Sequence, residues 1–131
     1  MKDLKKQLEE RIPDLEAAYT ETGRPKVDFT VYPEDLRANR EAEYHAIVLV
    51  EAARKIEREN GFGEIDWNDS SQWKYIPWFW MSPSSFAFDV SGCDYSYASA
   101  GSGSRLRLLS AAAASYLGEK FLEIWEKVQL M

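Results

Sequence analysis

The segment "PEDLRANREAEYHAIVLVEAARKIEREN", residues 33–60, leaves the chain little choice of local structure. Ala42, Ala46, Leu49, Ala53 and Ile56 recur at spacings of three and four, the period of one helix face and not of a strand. Pro33 suits the first helical position, where its missing N–H would have no intrahelical partner. Glu34 and Asp35 place negative charge at the positive end of the helix dipole. "ENG" closes the helix, because Gly61 can take the left-handed conformation common at helix C-termini. The rest of the chain has to cover that apolar stripe.

Residues 2–22 read as helix in two pieces, with Leu4, Leu8 and Ile12 at i+4 and a restart at Pro13. Gly23 is the expected stop. In "RPKVDFTVYP", Val27, Phe29 and Val31 alternate, which fits either a short edge strand or an extended linker; the flanking prolines favour the linker. "FGEIDWNDSSQ" is a polar connector containing Trp67.

The period then changes. "WKYIPWFWMSPSSFAFDV" carries Trp73, Tyr75, Trp78, Phe79, Trp80, Phe86 and Phe88, and reads as strands over 73–81 and 85–91 around "SPSS". "GCDYSYASAGSGS" (92–104) is a Gly/Ser-rich loop, and "RLRLL" (105–109) alternates as a short third strand. The loop lacks the Lys and following helix of a phosphate-binding turn. Ser110 is the expected N-cap of a last helix whose stripe is Leu117, Phe121, Ile124 and Val128. The expectation is a single domain over 1–131 of α+β class. It has a mainly helical part (1–61), a sheet-and-loop part (62–109) built on a three-stranded antiparallel sheet, and a C-terminal helix (110–130) packed on that sheet.

Strand alternation puts Tyr75, Pro77, Phe79 and Met81 on one face and Lys74, Ile76, Trp78 and Trp80 on the other. Phe86, Phe88 and Val90 are expected in the core. An even-numbered turn pairs Phe79 with Phe88, whereas a three-residue turn pairs Trp78 with Phe88 and exchanges the whole set. Pro83 at the second position of a type I turn favours the even loop. Either way, large aromatics are left beside Arg105 and Arg107. The candidate binding residues are therefore Tyr75, Trp78, Phe79, Trp80, Arg105 and Arg107, of types enriched at protein interfaces.

Catalytic and metal-binding signatures are lacking. His45 is the only histidine and Cys93 the only cysteine, so neither a disulfide within the chain nor a cysteine cluster can form, and no metal or cofactor is expected. No serine stands in a nucleophile-elbow sequence. Glu64, Asp66 and Asp69 read as a solvated connector. The formal charge of −6, from 16 Lys and Arg against 22 Asp and Glu, opposes non-specific attraction to nucleic acid or anionic membranes. "MKDLKKQLEE" does not read as a signal peptide, and no stretch approaches a membrane span. The expected location is the cytoplasm.

The chain resembles a group of small phage- and prophage-encoded proteins of gut Bacteroidetes. The resemblance rests on "AIVLVEAARKIERENGF", "WKYIPWFWMSPSSFAF", "DYSYASAGSGSRL" and "AAAASYLGEKFLEIWEKV", in that order, over roughly residues 40–130. It implies a mobile-element origin and action inside a host cell, and it carries over no catalytic or binding residue. The expected function is that of a non-enzymatic accessory protein that binds another protein, with a homodimer through the aromatic hairpin as one form. The alternative is binding of single-stranded nucleic acid or a nucleotide on an aromatic/Arg sheet face. An enzyme is the remote alternative.

Overall fold

The computed structural model describes residues 3–69, 71–82, 85–94 and 104–130. Among them are five α-helices: α1 (Leu4–Arg11), α2 (Leu15–Thr22), α3 (Arg37–Glu59), α4 (Ala111–Lys120) and α5 (Leu122–Leu130). Two strands, β1 (Lys74–Ser82) and β2 (Ser85–Asp94), form an antiparallel hairpin.

Local chemistry sets most helix ends. Asp3 and Asp14 cap α1 and α2 by accepting from the backbone N–H of Lys5 and Ala17. Gly23 ends α2 at φ 69° and Gly61 follows α3 at φ 88°, a region that side chains with a Cβ enter at a cost. Pro33 opens a 3-10 turn, Glu34–Leu36, which leads directly into α3.

Helix α3 is the centre of the molecule. Its expected stripe (Ala42, Ala46, Leu49, Ala53 and Ile56) is buried, and a second row, Val48 and Ala52, is buried beside it. Leu8, Ile12, Ala18 and Tyr19 cover it from the N-terminal side, and Leu117, Phe121 and Trp125 belong to the same core. Polar bonds lock these elements together. Gln7 and Asn60 exchange side-chain hydrogen bonds of 2.9 and 3.0 Å. The Tyr116 hydroxyl donates to Ile12 O at 2.7 Å, and Asn39 donates to the carbonyl of Lys127 at 3.2 Å.

The α+β expectation is corrected. The chain is mainly helical, and the three-stranded antiparallel sheet expected over 73–81, 85–91 and 105–109 does not form. Residues Ser104–Leu106 make a 3-10 turn, and Leu108 alone bridges to Tyr75 (N···O 2.8 and 3.0 Å). Beyond that bridge the next residue of β1 to face the segment, Pro77, has no N–H to offer it, and the segment's remaining polar groups turn to α3. The N–H of Leu109 and the hydroxyl of Ser110 donate to the buried carboxylate of Glu57, and Arg105 donates to Glu51, both on α3. Those bonds hold 105–110 against α3. The single C-terminal helix expected over 110–130 is likewise two, broken at Phe121 (φ −114°, ψ 39°). There the Leu117 carbonyl accepts from both Phe121 N and the Trp125 indole N–H.

The hairpin pairs Phe79 with Phe88 and Ser82 with Ser85, so its turn has the even length expected from "SPSS". A bulge between Trp78 and Phe79 then shifts the register, so that Trp78 opposes Val90. Its Tyr75–Pro77–Phe79 side meets the C-terminal helices. Pro77 is buried, and Tyr75 and Phe79 pack against the core. Gly118 on α4 makes this approach close: a Cβ there would lie 2.5 Å from the Phe88 ring and 2.8 Å from Pro77 Cβ. Gly118→Ala is therefore expected to destabilise the protein by about 1–2 kcal/mol in a thermal or denaturant melt, overpacking outweighing the roughly 1 kcal/mol gain in helix propensity. A variant as stable as the parent would show that the hairpin yields to α4.

Candidate functional site

The six residues singled out from the sequence do not come together on one open face. Tyr75 and Phe79 belong to the inner side of the hairpin, Phe79 with its ring 5.8 Å from that of Trp125 and 6.2 Å, edge-on, from Phe88. Trp78 and Trp80 lie in β1, opposite Val90 and Ala87 in register; their side chains fall outside the described structure, as do those of Phe86 and Val90. Arg105 is exposed and donates to Glu51 at 3.2 Å, and Arg107 is half-buried. The Gly/Ser loop over 95–103 is outside the described residues.

The acids of the connector act on their own backbone. Asp66 accepts from Asn68 N, and Asp69 from the N–H and hydroxyl of Ser71. Lys74 is fully buried, donating to the carbonyls of Asp69 and Gln72 with its ammonium 5.5 Å from the Trp67 ring, so it pins the connector to the hairpin. His45 is half-buried, its ring edge-on to Tyr19 and its Nε2 3.9 Å from Glu41. Burial pushes its pKa down. Among the described residues no group of three or more His, Cys, Asp or Glu is placed to hold a metal ion. No described helix is long and apolar enough to cross a membrane.

Two surfaces that strand alternation did not single out carry more organisation. The first is a strap over residues 24–36, which crosses the α2–α3 side of the molecule. The extended-linker expectation is the one realised here, with a short 3-10 turn at Phe29–Val31. Its backbone is tied at several points. The Tyr44 hydroxyl donates to Pro25 O (2.7 Å), Asp28 accepts from the N–H and hydroxyl of Thr30, and Arg37 donates to Tyr32 O (2.9 Å) and Thr30 O. Phe29 turns inward, stacked on Tyr32 and 5.8 Å from the Tyr44 ring. Val27, Tyr32 and Leu36 remain about half exposed, and Val31 is 82% exposed.

The second is a groove of about 520 Å³ between the end of α2 and the C-terminal part of α3. Glu51, Arg54, Lys55 and Arg58 recur at spacings of three and four, so α3 presents all four along one side. Each carboxylate there is shared by two cations. Glu21 accepts from Arg11 (3.1 and 2.8 Å) and Lys55 (3.0 Å), and Glu51 from Arg24 (2.8 and 2.7 Å) and Arg105 (3.2 Å). The Arg11 bonds hold Glu21 down at about 2, and the Arg24 bonds lower Glu51 as well. Opposite charges spaced three and four apart on a helix read as a solvated face; their spacing was the signal that they share one side. No protein-family model matches the chain, and no curated protein or solved structure matches it.

Proposed function

We propose that this chain is a non-enzymatic binding protein that docks a protein partner on the strap over residues 27–36. The observation that carries the reading is Val31, 82% exposed on a backbone held by side-chain bonds from Tyr44, Asp28 and Arg37. A segment ordered in advance gives up little freedom when a partner docks, and apolar side chains held outward supply the contact area. Tyr32 adds an aromatic of the type enriched at interaction hot spots. Glu34 and Asp35, both exposed, border the row, so the partner that fits offers apolar side chains flanked by Lys or Arg. The resemblance of residues 40–130 to phage- and prophage-encoded proteins supports an accessory role of this kind in the cytoplasm of a host cell.

The strap takes the place of the aromatic hairpin as the proposed surface: Tyr75 and Phe79 pack on the core, and the side chains of Trp78 and Trp80 lie outside the described structure. A photo-crosslinking residue at position 31, compared with one at the exposed Lys6 on α1, tests the reading in cells that carry the gene. The expected result is a discrete protein adduct from position 31 alone, abolished by Leu36→Asp. An adduct of twice the chain mass from purified protein would identify a second copy as the partner. Equal labelling from both positions, no adduct, or an adduct containing nucleic acid would overturn it.

A further inference from the structure

We propose that the groove between α2 and α3 binds the diphosphate group of a small molecule. The argument rests on the donors left over after the ion pairs are formed. Lys55 spends two of its three ammonium N–H groups on Glu21, one on the carboxylate and one on the main-chain carbonyl. Arg24 spends Nε and Nη2 on Glu51, which leaves the Nη1 pair. Arg58 makes one loose ion contact, Nε to Glu64 at 3.4 Å, and its side chain is 43% exposed, so the rest of its fork of five N–H groups is open to a ligand. Arg54 stands at the floor with its guanidinium committed to Glu57 and to Gly63 O.

Three cations from two elements, Arg24, Lys55 and Arg58, thus hold donors in reserve around one cleft. Both carboxylates between them are paired with two cations each, whose bonds lower their pKa values. Their excess of donors matches a polyanion with many acceptor oxygens better than a carboxylate with two. The end of α2 directs carbonyls, the negative end of its dipole, towards this cleft, an obstacle to any anion. Lys55 removes it by donating to Glu21 O, in the last turn of that helix. At about 520 Å³ the groove has the size of a small-molecule site and not of a polymer track. The chain as a whole is charged −6, so its overall charge does not attract anions and the reserve donors give the groove its selectivity.

Isothermal titration of the full chain with pyrophosphate in low-salt buffer tests the site, since exposed charges are screened as salt rises. Saturable binding is expected, weakened about tenfold or more by Arg58→Ala, which corresponds to about 1.4 kcal/mol or more. The Arg58 side chain makes only the loose contact to Glu64, and a circular-dichroism melt checks that the variant is as stable as the parent. Lys6→Ala, an exposed cation on α1, should leave the affinity unchanged, as should Leu36→Asp on the strap. A nucleoside diphosphate should bind at least as tightly as pyrophosphate. No binding, equal loss in the Arg58 and Lys6 variants, or orthophosphate and sulfate binding as tightly as pyrophosphate would each overturn the assignment.

Discussion

Glu57→Ala is expected to lower the free energy of unfolding by about 3–5 kcal/mol, the range for removing one partner of a buried ion pair. Glu57 is fully buried and Arg54 nearly so, with 2.7 Å between their charged atoms. The carboxylate has further work. It accepts from Leu109 N at 3.0 and 3.1 Å and from the Ser110 hydroxyl, while Ser110 Oγ in turn accepts from Ala113 N as the N-cap of α4. Removing the carboxylate strands the Arg54 charge and two donors at once. Replacing both ionic partners by apolar residues, often harmless for an isolated buried pair, should not restore stability here, because Leu109 N–H and the Ser110 hydroxyl would still lack an acceptor. Ser110→Ala removes the cap and one donor to a carboxylate that keeps its other partners, and should cost about 1–2 kcal/mol. Urea unfolding of the three variants checks the order. A loss below about 1 kcal/mol for Glu57→Ala would mean that water replaces the carboxylate and that the junction is not sealed.

That junction also explains where the sequence stops being informative. The helix ends at Pro13, Gly23 and Gly61 and the buried stripe of α3 depend on neighbours a few residues away, and the chain shows them directly. Residues 105–109 alternate like a strand, yet they are held by Glu51 and Glu57, some fifty residues earlier, and meet β1 at Leu108. Glu57 lies four residues after Ala53, on the buried side of α3, and that position was the one available sign that its charge is not a surface charge. The candidate site divides in the same way. Alternation puts Tyr75 and Phe79 on one side of the strand, and both pack on the core, but it cannot say which side a helix will cover. Gly118 was the clue to that cover, since a glycine inside an otherwise strong helix costs stability unless something comes close. The groove stayed hidden because its carboxylates come from two helices, Glu21 on α2 and Glu51 on α3, and only the folded chain shows that they serve four cations.

The second large effect concerns the contact that holds the hairpin to the helices. Trp125 is 2% exposed, lies 5.8 Å ring to ring from Phe79, and donates its indole N–H to Leu117 O at 3.1 Å. Trp125→Ala should cost about 3–5 kcal/mol, the range for emptying a buried aromatic site. Trp125→Phe keeps most of the apolar contact and loses one hydrogen bond, so a cost near 1 kcal/mol is expected. If the ring of Trp125 is what docks β1, the loss should be shared with Phe79: a double-mutant cycle between Trp125→Ala and Phe79→Ala should show a coupling of about 0.5–1.5 kcal/mol. Hydrogen exchange gives the independent reading. In Trp125→Ala the β1 amides should exchange faster relative to those of α3 than in the parent chain, because the hairpin would open before the helical core does. Exchange that accelerates equally in β1 and α3, together with zero coupling, would show that Trp125 supports the core alone and that α4, through Gly118, carries the hairpin without it.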